Sequence, residues 1–260
     1  MNLNNGVVEI SQFIDIGDRP YQQDCVATDI SDDSGAAFAV ICDGMGGLAG
    51  GELSSKVAAW NLRKAFCEAE ITDIREFFKS QVKRLDRLVI SFAREKGVGN
   101  TGTTLVAAVI EKGELYWVSV GDSSLYLIQR GKAIRQTRAH NYELFLKMKL
   151  DRGEVSQEEL KRDKQKRDAL ISYIGKGNVD LVDVNTSPIQ LQNGDLVLLC
   201  SDGLTKILSD DEIEAITDRF SDDLSSAVWI LMREVKRKAD EKKRKTDNIS
   251  IVLMQYRTEC

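Results

Sequence analysis

Four strand-like apolar runs in this chain each meet an aspartate where they break into a glycine or a polar turn. Asp43 ends Val40-Ile41-Cys42 and opens Asp43-Gly44-Met45-Gly46-Gly47. Asp122 follows Val118-Ser119-Val120-Gly121, and Asp202 follows Leu198-Leu199-Cys200-Ser201. Asp247 stands in Thr246-Asp247-Asn248-Ile249-Ser250, at the head of a last apolar run. A carboxylate at the end of a buried strand is costly unless it meets a cation or a dense set of donors. Four of them, distant in sequence but alike in context, suggest strand ends converging on hard metal ions bound through oxygen.

The rest of the pattern alternates strands with helix pairs. Strands are expected at Val7–Ile14, Cys25–Ile30 and Ala36–Cys42, the last apolar throughout, as in a strand buried on both faces. Leu53, Val57, Trp60 and Lys64 keep helical spacing beside Ala58, Leu62, Ala65 and Phe66. Ile74, Phe77, Phe78, Val82, Leu85 and Val89 predict a second helix. Strands return at Thr104–Ile110, Leu115–Val120, Ser124–Ile128 and around Ile134, with Glu111–Glu114 and Gln129–Lys132 as hairpin turns. The charged stretch from Ala139 to Arg167 reads as an exposed helical insertion over the strands or as a plain solvated helix pair. Further strands at Leu181–Val184, Ile189–Leu191 and Asp195–Ser201 precede helices at Asp210–Phe220 and Leu224–Lys243 and a strand at Ile249–Tyr256. This order predicts an α+β fold of antiparallel sheets covered by helices.

At 260 residues with two prolines and no Gly/Ser tract, the chain is expected to form one domain, residues 1–260. A net charge of −5 argues against a nucleic-acid binder. The five cysteines form no C-x-x-C pair, as reduced thiols of a cytoplasmic protein would. Neither a signal peptide nor an apolar stretch near the roughly 20 residues of a membrane span is seen, so a soluble protein is expected. His140 is the only histidine, which leaves little room for zinc chemistry and reads as a surface or packing residue in a charged loop.

Several other chemistries fail on spacing. Gly44-Met45-Gly46-Gly47-Leu48-Ala49 satisfies a dinucleotide fingerprint, but Asp43 would repel a pyrophosphate and βαβ repeats are absent. Asp43 to Glu52 lacks calcium-loop ligands. No P-loop occurs, and no cysteine has an arginine six residues on, which cysteine-nucleophile phosphatases need. A few aspartates suffice for two Mg²⁺ or Mn²⁺ ions, and two such ions about 4 Å apart can lower the pKa of a bridging water and stabilise an in-line displacement at phosphorus. Asp43 is suited to bridge them, with the Gly44 carbonyl near one. Arg19, in Asp18-Arg19-Pro20-Tyr21-Gln22-Gln23-Asp24, offers a planar fork for phosphate oxygens.

The ordered set Arg19…Asp24, Asp43-Gly44-Met45-Gly46-Gly47, Gly102-Thr103-Thr104, Gly121-Asp122-Ser123, Ser201-Asp202-Gly203-Leu204 and Asp247-Asn248-Ile249 resembles the metal-dependent protein phosphatases of type 2C, in their bacterial form. The match covers nearly the whole chain. It implies a four-layer α-β-β-α sandwich that hydrolyses phosphoserine and phosphothreonine through a metal-bridging hydroxide, without a phosphoenzyme. By resemblance, Asp43 bridges two Mn²⁺ or Mg²⁺ ions, Gly44 gives a carbonyl, and Asp202 and Asp247 hold the first ion. Asp24 then holds metal-bound water, flanked in the outer layer by Gln23 and Asn248. Asp122 with Asp202 matches a third, weaker ion site, and Arg19 the phosphate-binding arginine. Residues 139–178 correspond to a flap beside the site. The implied partners are phosphorylated proteins and a cognate Ser/Thr kinase, for an enzyme acting as a monomer. Some positions depart from the family: Gln23 replaces a glutamate, Ser124 an arginine and Lys206 an acid. Ala139-His140-Asn141 keeps part of an Asp-His-Ser motif, and Met45 sits where some eukaryotic members carry a histidine. These departures motivate the alternative of a pseudophosphatase that binds a phosphoprotein or kinase without turnover.

Overall fold

The computed structural model describes residues 6–156 and 167–258. The strands are β1 (Gly6–Asp15), β2 (Asp24–Ile30), β3 (Ala37–Met45), β4 (Gly102–Thr103), β5 (Leu105–Glu111), β6 (Glu114–Val120), β7 (Ser124–Gln129), β8 (Lys132–Arg135), β9 (Asp183–Val184), β10 (Ile189–Gln190), β11 (Leu196–Cys200) and β12 (Ile249–Thr258). One sheet runs β1-β12-β11-β7-β8 and the other β10-β6-β5-β3-β2, with β4 beside β3 and β9 beside β6. The pairings are antiparallel, as the short hairpin turns predict.

Residue alternation along β3 explains the layering. Phe38, Val40 and Cys42 pack under the helices Gly47–Glu68 (α1) and Ile74–Glu95 (α2), while Ala37, Ala39 and Ile41 face the opposite sheet. That is why the run is apolar without interruption. The second sheet packs its other face, through Tyr126, Leu198 and Leu253, against helices Asp210–Arg219 and Leu224–Glu241. The result is the expected α-β-β-α sandwich. The helices begin where caps permit. Asp73 accepts the Arg75 and Glu76 amides, and Ser209 with Glu212 forms a capping box.

Three details differ from the sequence pattern. Trp60, at helical spacing with the buried face, is 52% exposed and packs against the Arg63 guanidinium. The two-residue β4 and the short helix Asp202–Thr205 have no periodic signal to announce them. The described part of the charged insertion holds one helix, Tyr142–Asp151, with turns after it, and residues 157–166 lie outside the described residues. No helix among the described residues is long and apolar enough to cross a membrane.

Candidate active site

The space between the sheets is apolar until one end, where the filling changes character within a single layer. One two-residue step beyond Ile41 comes Asp43, and beyond Val26, Asp24. The same step leads from Val106 to Thr104, from Leu125 to Ser123, from Leu199 to Ser201 and from Val252 to Ser250. Asp24, Thr104, Ser123, Ser201 and Ser250 are all buried. A cavity of about 600 Å³ opens onto this layer. Arg19, Gln23, Asp43, Gly44, Asp122, Asp202, Asp247 and Asn248 all line it, and Asp24 lies behind Asp43 as its partner across β2 and β3. The structure therefore brings together every site residue expected from sequence.

The backbone of Asp43 is fixed from three directions. Its amide donates to Thr104 Oγ1 at 3.0 Å, and its carbonyl accepts from Thr104 N at 2.8 Å and Thr103 Oγ1 at 2.9 Å. Thr104 Oγ1 is tied in turn to Ser123 Oγ at 2.7 Å, next to Asp122. Gly44 is required by close approach, since a Cβ there would lie 2.1 Å from the Gly51 carbonyl oxygen. Gly203 serves in the same way beside Asp202, because its Cβ would lie 2.1 Å from the Asn248 oxygen. The two Asp-Gly pairs thus let the backbone beside Asp43 and Asp202 come close to its neighbours.

Arg19 sits on a loop that Asn248 and Asp18 fasten to the start of β12. Asn248 Nδ2 donates to the Ile16 and Tyr21 carbonyls at 2.8 and 3.0 Å, and its Oδ1 accepts from Gln23 N at 2.9 Å. Asp18 accepts from Thr246 N and Oγ1, both at 2.8 Å. Arg19 Nη2 then reaches Asp247 Oδ2 at 2.8 Å. From the short helix opened by Asp202, Lys206 Nζ turns back onto Asp202 Oδ2 and lies 3.5 Å from Asp247 Oδ2. A lysine thus stands between two of the aspartates. As the side chains stand, no three Asp, Glu, His or Cys residues among those described cage an ion.

Burial and mutual repulsion shift the carboxylates of this layer. Burial, then the Asp24, Asp202, Asp122 and Asp247 charges, push the Asp43 carboxyl well above its usual range. Burial also lifts Asp24 to about 6 against the nearby Ser250 and Ser201 hydroxyls, and lifts Asp122 to about 7, helped by Asp202 and opposed by Lys206. Asp202 is raised by burial although Lys206 counters it. Burial works to lower the Lys206 ammonium, but Asp202 and Asp247 outweigh it and raise it. Among the described residues, both carboxylate oxygens of Asp24 and Oδ1 of Asp202 are buried without a hydrogen-bond partner. Buried charged oxygens in that state fit a hard divalent cation, which an all-oxygen donor set favours.

Of the two settings expected for His140, surface or packing, the structure shows packing: the residue lies in a loop and is fully buried. Its Nδ1 accepts from Gly121 N at 3.2 Å, while Nε2 faces Asp183 Oδ2 at 3.2 Å. An accepting Nδ1 places the ring proton on Nε2, toward Asp183. Burial works to raise Asp183, but His140 and Arg138 outweigh it and hold its carboxyl well below the usual range. The histidine backbone also bonds Gly121 O and Ile171 N, so it fixes the turn before Asp122 against the 139–178 segment. Asp168, from the same segment, lines the cavity and was not legible in sequence, because it sits in a stretch dense in charge. The Ser/Thr layer was missed too, though its signal existed: each member lies two residues beyond an apolar core position.

An acidic cavity with an arginine at its mouth suits a multiply charged oxyanion only when cations join it, as in phosphate-handling hydrolases. Residues 17–242 match the model of the protein phosphatase 2C family, and the chain belongs to that family. The serine/threonine phosphatase Stp of Listeria welshimeri is 29% identical over 225 residues, spanning 83% of this chain and 83% of that protein. The S. agalactiae serine/threonine phosphatase structure superposes with a TM-score of 0.80 at 24% identity, covering 97% of this chain and 100% of that one. The catalytic domain of the serine/threonine protein phosphatase PstP, solved with two manganese ions, gives a TM-score of 0.76 at 23% identity, over 97% and 100% of the two chains.

Proposed function

We propose that this chain is a divalent-metal-dependent phosphatase that removes phosphate from phosphoserine and phosphothreonine in proteins, by direct attack of water and without a phosphoenzyme. The observation that carries it is the set of buried, partnerless carboxylate oxygens of Asp24 and Asp202 at an all-oxygen cavity with Arg19 at its mouth. Asp43, the Gly44 carbonyl, Asp202 and Asp247 would hold two Mn²⁺ or Mg²⁺ ions, and Asp122 with Asp202 a third, weaker one. When bound, such ions supply Lewis acidity and lower the pKa of water. The manganese-bound PstP neighbour supports that choice of metal.

The chain's own residues supply position and charge. Arg19 commits one nitrogen to Asp247 and leaves a half-exposed guanidinium at the cavity to orient a phosphoryl group. Asp24 and Asn248 stand behind the ligands, Asp24 as a proton-holding group whose carboxyl is raised to about 6. No cysteine among the described residues is poised as a thiolate nucleophile. Burial pushes the Cys25 thiol to about 11 and Cys200 to about 12, and raises Cys42 well above its usual value and Cys67 above it as well. His140 is engaged with Gly121 and Asp183. We read the whole chain as one catalytic domain, with residues 139–178 as a flap that brings Asp168 and Leu170 to the cavity wall. Its partners would be phosphoproteins and the cytoplasmic kinase that makes them.

The test is hydrolysis of p-nitrophenyl phosphate and a phosphothreonine peptide, with Mn²⁺ and with chelator, by the wild type and Asp202→Asn. Turnover lost on chelation and in the variant is expected. Turnover that survives both would overturn the two-metal mechanism. The Lys206 ion pairs favour one second reading, a phosphoprotein-binding module whose ligand aspartates are already neutralised. Folded protein that binds phosphopeptide without turnover at millimolar Mn²⁺ would establish it.

A further inference from the structure

A second cavity, of about 380 Å³, opens beside the first and shares Arg19 and Asp247 with it. Its walls carry four cations, Arg19, Lys206, Arg244 and Lys245, against two carboxylates, Asp18 and Asp247. Both carboxylates are already engaged, Asp18 by Thr246 and Asp247 by Arg19 and Lys206. Arg244 and Lys245 are exposed and form no ion pair among the described residues. They close a run of four basic residues, Lys242-Lys243-Arg244-Lys245, in a chain whose net charge is −5. Such a concentration of unpaired positive charge in a concave site raises the local concentration of anions.

The two cations are also held in place. Lys243 takes the left-handed conformation (φ 50°) after the helix Leu224–Glu241, and the Lys243 and Arg244 amides bond the Asp240 and Ala239 carbonyls. Just beyond Lys245, Thr246 is fastened to Asp18 on the loop that carries Arg19. Arg244 and Lys245 therefore sit on a short bridge fixed at both ends, one end being the loop that orients the phosphoryl group.

We propose that this cavity is a subsite for a second anionic group of the substrate, a carboxylate side chain or a second phosphoryl group within a few residues of the one hydrolysed. The proposal deepens the phosphatase reading and rests on it. Arg19 belongs to both cavities, so a phosphoryl group at Arg19 places neighbouring side chains of the same peptide at Arg244 and Lys245. The volume suits one or two side chains and excludes a folded partner.

Three phosphothreonine peptides test this, identical except for alanine, glutamate or phosphoserine at the positions flanking the phosphothreonine. The wild type with Mn²⁺ is expected to show kcat/KM roughly fivefold to tenfold higher for the glutamate or phosphoserine peptide, chiefly through KM, with the advantage shrinking as NaCl screens it. The glutamate and phosphoserine arms tell which anion the subsite takes. Arg244→Gln with Lys245→Gln should erase the preference and leave the constants for p-nitrophenyl phosphate unchanged. Equal kcat/KM for all three peptides in the wild type would overturn the subsite. So would a preference that survives the double substitution, or an equal loss on peptide and p-nitrophenyl phosphate. Failure of the wild type on p-nitrophenyl phosphate itself would remove the phosphatase reading and the subsite together, whereas turnover of that ester without an acidic preference removes the subsite alone.

Discussion

Replacing Lys206 by methionine isolates the charge that stands between Asp202 and Asp247. Methionine keeps the stem's length and apolar contacts while removing the ammonium that touches Asp202 and lies 3.5 Å from Asp247. Two unit charges at that separation attract by about 5 kcal/mol at an effective dielectric constant of about 20. The lysine is 47% exposed, so solvent screening and desolvation offset most of this, and a net loss of about 1–2 kcal/mol is left. For a chain of this size that lowers Tm by roughly 2–8 °C in EDTA. In saturating Mn²⁺ the bound cations take over the neutralisation, so the deficit should vanish or reverse. Mn²⁺ affinity should rise by about tenfold, because the ion no longer displaces a tethered cation. Thermal melts in EDTA and in MnCl₂, with a Mn²⁺ titration, read all three effects. An equal Tm loss with and without Mn²⁺, with unchanged affinity, would refute a competing cation and make Lys206 an ordinary surface residue.

Asn248→Ala removes three side-chain hydrogen bonds and unfastens the Arg19 loop. It should cost about 2–4 kcal/mol in urea unfolding and raise KM for p-nitrophenyl phosphate; loss of stability with KM unchanged would show that the clip does not position Arg19. The acid cluster also predicts a pH dependence for the metal-free protein. Asp24 and Asp122 ionise near 6 and 7 in the folded chain and near 3.8 when unfolded, so the native state binds more protons in between. Stability should therefore fall as pH rises from about 4 to about 7, less steeply in Asp122→Asn, and Mn²⁺ should restore it. A metal-free Tm that is flat or rises over that window contradicts the assignment.

Sequence discloses charge that has no local excuse. Asp43, Asp122, Asp202 and Asp247 were legible because each interrupts apolar strand pattern, and the layering was legible because β3 is apolar on both faces. Asp24 carried no such mark, since it begins its strand after two glutamines. It becomes a buried, partnerless carboxylate only once β2 pairs with β3 and the second sheet closes over it. The Ser/Thr layer needs the register of four strands at once, β5, β7, β11 and β12, which no single segment contains. Sequence left open whether His140 packs or faces solvent, because its partners, Gly121 and Asp183, lie 19 and 43 positions away in opposite directions. Lys206 is four residues after Asp202, and the pair becomes visible only when the intervening tetrapeptide is known to be helical.

On the proposed reading, Asp43 and its neighbours hold divalent metal. Counting free Mn²⁺ by electron paramagnetic resonance while titrating the wild type and Asp43→Asn tests it directly. Two tightly held ions in the wild type, with the loss of at least one in the folded variant, are predicted. The same number and affinity in both proteins, or no binding by the folded wild type at millimolar Mn²⁺, would show that Asp43 and its neighbours are not the metal site.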